Sequence, residues 1–410
     1  MALLHPFRAL RPRPSQAAAI AAVPYDVVST EEARTLADGN PLSFLRVSRA
    51  EIELTVNTDP YSDQVYERAA HNYQQLTQST FELETEPSVY FYRLREGYHE
   101  QMGLAACFSL DEYDRNIIKK HERTRPDKED DRTRHMLAVG AQTGPVFLTY
   151  RASTDVNDIA RRVTVEVPLL DFKADDGVRH SLWKVTGRNR DALVAAFSRI
   201  QSLYIADGHH RAASAARARA DMRRRGAVGT LLGDAADVNT VLAVAFPHDE
   251  VQILAYNRLV RDLAGLTLDE FLAAVRERFV VAPGTPEPRE RGTIAMFLGD
   301  VWYALTPKAP PDPGDTIGTL DVSVLQDQLL APILHIVDVR TDKRIDFVGG
   351  ARGTQALEEH VQFGRFSAAF SLFPVSVADL MAVSDEDAIM PPKSTWFEPK
   401  LRDGLLVHVI

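Results

Sequence analysis

The chain has 410 residues, 45% hydrophobic and 25% charged, with a formal net charge of −10. That charge is a poor field for approaching nucleic acid, whose binding rests on Lys and Arg neutralising phosphates, so a DNA partner is not expected. The length calls for two or three domains, no apolar run reaches the roughly 18–20 residues of a membrane span, and the single Cys107 excludes an intramolecular disulfide.

Met1 to Arg13 carries basic residues but no sustained apolar segment or cleavage-type site, so a secretory signal is not expected and the expected location is the cytoplasm. Arg8 to Val28 is punctuated by proline and reads as extended segments and turns, not helix. Ser29-Thr30-Glu31-Glu32 opens a helix with a hydroxyl cap and acids in the first turn; Gly39-Asn40-Pro41 ends it. Tyr61 to Gln78 has helical spacing. Val89 to Leu94 and Gly103 to Leu110 read as a hairpin pair, with Cys107 inert in a buried strand. A short polar helix is expected over Asp130 to Val139, then strands at Pro145–Tyr150, Val163–Leu170, His180–Val185 and Leu203–Ile205. Gly226 to Val238 reads as loop. Val241 to Phe246 is continuously apolar and predicts a central strand. A helix over Leu266–Phe279, a hairpin of Thr293–Leu298 with Val301–Leu305, and a Pro-rich surface stretch over Pro307–Gly318 come next. A helix over Leu320–Leu334 and a strand over Ala368–Phe373 complete the set. Strands and helices mix without regular crossovers, which predicts a mixed α/β (α+β) protein with mixed sheets.

The densest chemistry lies in Tyr204-Ile205-Ala206-Asp207-Gly208-His209-His210-Arg211, a short strand running through glycine into an Ala-rich helix. A helix N-terminus has unpaired N–H groups and a dipole that favours anions. Gly208 lets backbone approach a ligand closely, and Arg211 can fork onto phosphate oxygens. Asp207 does not suit a bare phosphate; it suits a magnesium ion or a hydroxyl that must lose its proton. An ordinary capped turn would use the same residues.

Other blocks carry candidates. Pro24-Tyr25-Asp26 places a carboxylate on a rigid segment, either to activate a hydroxyl, to bind an ammonium, or simply to make a turn. His121-Glu122-Arg123-Thr124 lacks the second His of a zinc helix, because position 125 is Arg125. Glu122 is a candidate base or magnesium ligand, or a surface ion-pair partner of Arg132. Lys393-Ser394-Thr395, between two prolines and Trp396-Phe397, can offer an ammonium and two hydroxyls to an anion, or close the fold as a buried loop. Trp183 reads as core before base-stacker. Arg217, Arg219, Arg223, Arg224 and Arg225 read as a solvated helix face before a nucleic-acid patch.

The Asp207–Arg211 box resembles the phosphate-binding turn of the ParB/sulfiredoxin superfamily, and free serine kinases of that superfamily carry a nearly identical Asp-Gly-His-His-Arg. Almost end to end, the chain is similar to the DUF1015 family, often labelled SpoOJ/ParA/ParB/RepB. The matching blocks are Val23–Val28 with Gly39–Pro41, His121–Thr124 with Asp131-Arg132, His180–Trp183, the box, and Met390–Lys400. One departure is Tyr256-Asn257-Arg258, where family members often carry an aromatic-His-Arg; it leaves only Arg258 as a phosphate-contact candidate.

The resemblance implies a ParB/sulfiredoxin-like strand-turn-helix nucleotide site within three regions: an N-terminal segment over 1–85, a core over 86–260 and a C-terminal α/β region over 261–410. It implies a small-molecule kinase using ATP or ADP and Mg2+ on free L-serine or a similar hydroxy amino acid. Asp207, Glu122 and Asp26 are the candidate catalytic residues, with Asp207 also the candidate magnesium ligand. Gly208, His209, His210, Arg211, Lys393, Ser394 and Thr395 are the candidate nucleotide contacts. The rival is a ParB-like nucleotide-binding module without turnover; a sulfiredoxin-type reductase would need a Cys where the box has His209 or His210.

Overall fold

An apolar run such as Val241–Phe246 has nothing to turn toward solvent, so it must lie in a sheet covered on both faces. In the computed structural model, which describes residues 2–226 and 237–410, Thr240–Pro247 is buried at every position. It is held between Val146–Tyr150, which runs parallel to it, and His99–Ser109, which runs antiparallel.

The described residues divide into two compact units: 1–120, 124–251 and 399–410 in the first, and 121–123 with 252–398 in the second. The last twelve residues thus belong to the first unit, far in sequence from the rest of it. Its nine-stranded mixed sheet has the order Ile118–Lys119, Leu203–Asp207, Val146–Tyr150, Thr240–Pro247, His99–Ser109, Val89–Glu96, Arg179–Val185 and Leu170–Lys173; Leu4–His5 also pairs with His99–Ser109. Phe91, Phe108, Phe197, Leu148 and Ile205 are among the side chains packed in its main core. Each such buried side chain contributes roughly 1.5–3 kcal/mol. A second cluster gathers Phe44, Val47, Val65, Phe81 and Val407 around the N-terminal helices. The second unit has a six-stranded antiparallel sheet ordered Phe279–Pro283, Val301–Pro307, Ile294–Leu298, Ala368–Ser371, Tyr256–Val260 and Ile345–Gly349.

Local signals explain most elements. Ser29 caps Thr30–Leu36, and Glu32 returns a bond to the cap, a reciprocal box that satisfies two otherwise unpaired N–H groups. Thr267 with Glu270 does the same for Leu268–Arg278. Val89–Glu96 and His99–Ser109 form the expected hairpin about Gly97, whose φ is +56°. The hairpin of Ile294–Leu298 with Val301–Pro307 also forms, and Trp183 is core, its indole N–H donating to the Glu166 carbonyl at 2.8 Å.

Two readings need correction. The strand expected over Val163–Leu170 is absent: Thr154–Val163 is helix, the strand is Leu170–Lys173, and Val165 and Val167 are 80% and 90% exposed. Their alternation imitates a strand, but Pro168 cannot donate to a ladder. Within Arg8–Val28, expected to hold no helix, Pro14–Gln16 makes a 3-10 turn and Ala17–Ile20 a helical one, since Pro is at home at a helix start. The loop expected over Gly226–Val238 lies largely outside the described residues.

The central packing can be tested at Gly103, where an added Cβ would sit 2.5 Å from Val244 Cγ1 and 2.8 Å from the Phe246 ring. Gly103→Ala should lose ~1–3 kcal/mol of stability by chemical denaturation, the cost of overpacking; an unchanged midpoint would mean the sheet face is looser than it looks.

Candidate functional site

The strand Leu203–Asp207 ends at Gly208, whose φ of +92° and ψ of 30° place it in the left-handed region. Glycine takes that conformation without penalty. A Cβ there would also stand 3.4 Å from the Val146 Cα. The chain then turns directly into the helix His209–Arg224. Ala212, Ala213, Ser214, Ala215 and Ala218 are its buried small residues. By helix geometry the first-turn N–H groups at 209–211 point past the helix end, the side from which a phosphate is held.

Arg211 sits in this first turn and is only 8% exposed. Its Nη1 donates to the Pro145 carbonyl at 2.6 Å, and its Nη2 to Asp26 Oδ1 at 3.4 Å. Burial disfavours its charge, but Asp26, Asp403 and Asp207 more than restore it, so its pKa is raised. Asp207 accepts from Lys400 Nζ at 3.1 Å. Burial alone would push the Asp207 pKa up; Lys400 and Arg211 reverse this and hold the carboxylate ionised, well below the usual range. Its side chain keeps 29% exposure, enough to meet a ligand. Tyr25 is buried near two guanidinium groups, Arg132 at 4.1 Å and Arg211 at 6.0 Å from its ring centre. Arg132 in turn pairs with its neighbour Asp131 at 2.8 Å. His209 is buried, and His210 Nε2 accepts from the Arg125 N–H at 3.1 Å, which ties the box to the helix Pro126–Val139.

Asp403 is the fourth acid of the cluster. Burial pushes its pKa up to about 7; Arg211 pulls it back, Asp26 adds to the rise, and Arg132 and Arg402 lower it. It arrives on the returning C-terminal segment, whose backbone bonds to Ala22 through Asp403 and to Thr143 through Gly404. A cavity of about 40 Å3 lies here, lined by Tyr25, Arg132, Thr143, Gly144, Arg211 and Asp403 among others.

Of the residues expected to act, the structure brings Asp26, Asp207, Gly208, His209, His210 and Arg211 into one unit. Sequence reading missed Lys400, Asp403 and the Arg132–Tyr25–Arg211 stack. Lys400 stands in a quoted family block, but nothing in its local spacing marks it as the partner of Asp207. Glu122, Lys393, Ser394 and Thr395 belong to the second unit. There Lys393 has a φ of +60° and holds its ammonium 5.5 Å from the Tyr256 ring centre. Ser394 Oγ donates to the Pro391 carbonyl at 2.6 Å, and Thr395 Oγ1 lies 3.5 Å from His121 Nε2. Arg258 is buried; its guanidinium donates to the carbonyls of Tyr256 and Pro392, and burial lowers its pKa to about 10. The helix arginines are largely spoken for: Arg219 binds Asp111 and Asp114, Arg217 binds Glu129 and Asp130, and Arg224 and Arg225 bind Asp221. Among the described residues no group of three His, Cys, Asp or Glu side chains is placed to hold a metal ion. No described helix is long and apolar enough to cross a membrane.

The model of the family described as "Protein of unknown function (DUF1015)" matches residues 4–323. No curated protein matches the chain. Among solved structures the chain is similar to a free serine kinase in complex with AMP, at 14% identity and a TM-score of 0.36, covering 73% of this chain and 91% of that one. It is also similar to SbnI with C-terminal truncation from Staphylococcus aureus (14% identity, TM-score 0.38, 72% and 84% covered). A conserved hypothetical protein from Pyrococcus furiosus matches at 13% identity and a TM-score of 0.35, with 74% and 95% covered. Likenesses of this size carry no functional argument, which rests on the residues themselves.

The buried acid gives a stability test. The folded pKa of Asp403, about 7, exceeds its reference value of 3.8, so folding takes up a proton between these values. The group's stability is intact below the lower value and is lost as pH rises through the higher one. Asp403→Asn keeps the shape of the neutral acid, so its Tm relative to the wild type should climb from about pH 5 to about pH 8. A difference that stays flat across this range would mean that Asp403 is ionised throughout.

Proposed function

The chain belongs to the DUF1015 family, and we propose that this member is a small-molecule kinase that moves a phosphoryl group from ATP or ADP to the hydroxyl of free L-serine or a similar hydroxy amino acid. The observation that carries this reading is the turn from Leu203–Asp207 through left-handed Gly208 into His209–Arg224, with buried Arg211 facing carboxylates from separate parts of the chain. Phosphoryl transfer needs positioning, cations on the phosphates and a carboxylate near the nucleophile, and little else from the protein.

The first-turn N–H groups at 209–211 and the Arg211 guanidinium hold the phosphates, with Lys400 as a further cation. The acceptor oxygen forms a bond to the terminal phosphorus. The bond from that phosphorus to its bridging oxygen breaks, and the nucleotide leaves with the electron pair. The hydroxyl proton passes to a carboxylate. Asp26 suits this role: it lies 3.4 Å from Arg211 and keeps 36% side-chain exposure. With no three-ligand cluster among the described residues, the chain does not fit a resident metal site. Magnesium would enter on the nucleotide, where it neutralises phosphate charge, and Asp207 is the class of ligand that touches it there. Glu122, Lys393, Ser394 and Thr395, expected as a base and as anion contacts, belong to the second unit. The rival, a ParB-like binding module, is favoured by the same turn. It has no use for carboxylates facing an acceptor, and the carboxylate partners of the helix arginines leave it a weak polyanion surface.

Incubated with Mg2+, ATP or ADP and free L-serine, the protein should form a phosphorylated amino acid faster than it hydrolyses the nucleotide. Nucleotide binding without transfer to any small alcohol would favour the module, and no nucleotide binding would sink both. Arg211→Ala should weaken nucleotide binding by ~1.5–3 kcal/mol, the worth of a charge-assisted bond. Asp207→Asn should leave nucleotide affinity largely intact and abolish transfer; it should also lower Tm, because Lys400 loses its buried partner. Full turnover in Asp207→Asn would remove that residue from the chemistry.

A further inference from the structure

Two polar atoms in the charge cluster are buried without a hydrogen-bond partner, Arg211 Nε and Asp403 Oδ1. One is a donor. The other, on an ionised carboxylate, is an acceptor. Both residues line the same cavity of about 40 Å3. A buried polar atom left unpaired costs about 1–3 kcal/mol, so two of them on residues that line one cavity point to a ligand group that serves both.

The walls select its charge. A cation would face Arg132 and Arg211, while a bare anion would face Asp403, with Asp26 close by on Arg211. A hydroxyl can accept from Nε and donate to Oδ1, and a zwitterion can do the same with its two ends. The size selects as well: a single water takes ~10–15 Å3 by this measure, so the cavity admits a head of about two to four non-hydrogen atoms and excludes a sugar or a base.

We propose that this cavity is the acceptor pocket, taking the hydroxyl-bearing head of a small neutral or zwitterionic alcohol, with Asp403 as its anchor. The inference rests on the kinase reading above and deepens it. Gly144 is part of the device: a Cβ at this position would collide with the Asp403 carboxylate. The carboxylate therefore occupies space that only glycine leaves open. Being able to hold or release a proton near neutrality, Asp403 can offer either half of a hydrogen bond to the alcohol.

The test uses the full chain with ATP, Mg2+ and four small hydroxyl-bearing probes of different charge: L-serine, glycerol, glycolate and ethanolamine. Transfer to L-serine or glycerol should exceed transfer to the anion glycolate and the cation ethanolamine by about tenfold or more in kcat/KM. Asp403→Leu, which removes both halves of the hydrogen bond, should raise the KM of the alcohol about tenfold or more, a larger change than in the Kd for ATP. Asp403→Asn should recover most of that loss. Gly144→Ala, which displaces the carboxylate, should act like the Leu variant and serves where that variant fails to fold. Equal use of glycolate, or an alcohol KM unchanged in the folded variants, overturns the pocket while leaving the kinase standing. Absence of ATP binding, or of transfer to all four probes, overturns the kinase reading and the pocket with it.

Discussion

A guanidinium buried in the first turn of a helix stands at the positive end of the helix dipole, where a cation is disfavoured. Arg211 occupies that place and is almost wholly removed from water. Three carboxylates offset the cost of burying that charge: Asp26, Asp207 and Asp403. Each comes from a different part of the chain. Asp26 lies on a Pro-fixed segment near the N-terminus, Asp207 ends a sheet strand, and Asp403 returns from the C-terminus. The need to neutralise one arginine is thus a reason for the last twelve residues to come back to the first unit. They also bring Lys400 to Asp207, so the cluster is balanced from both sides.

That balance is chemically useful. A carboxylate held ionised by two cations, a second one partly open to solvent and a third near its titration point are three different tools within one site. Their differences come from environment alone, since all three are aspartates. Arg132 and Arg211 both lie near the aromatic ring of Tyr25, whose electron-rich face attracts cations, so two like charges share a small volume. Packing supports the arrangement from below. The strands that end at Asp207 and begin at Val146 lie within a buried mixed sheet, so their ends are positioned by core contacts and not by the ligand.

The second unit handles buried charge in another way. Arg258 is surrounded by backbone carbonyls, so burial lowers its pKa instead of carboxylates raising it. The Pro392 carbonyl fastens the loop that carries Lys393 to this arginine, and Lys393 itself takes the left-handed conformation unusual for its type. The Met390–Lys400 block therefore divides its work. Its Pro392–Thr395 part is organised within the second unit, while Lys400 serves the first.

What the sequence by itself determined is whatever is encoded within a few residues. The cap at Ser29, the hairpins at Gly97 and Gly299, the central strand and the strand-glycine-helix turn at 208 were all legible, because each depends on spacing and local backbone chemistry. The box and Asp26 were legible as candidates for the same reason. The alternating valines at 165 and 167 misled, since alternation is a signal of burial only where tertiary neighbours supply the covering layer. Lys400 and Asp403 were decided by the tertiary structure alone. They lie almost two hundred residues from the box, and Asp403-Gly404 reads locally as an ordinary turn. Their role follows from electrostatics in a buried volume, and no periodicity or spacing in the chain records which distant carboxylate will share that volume with Arg211.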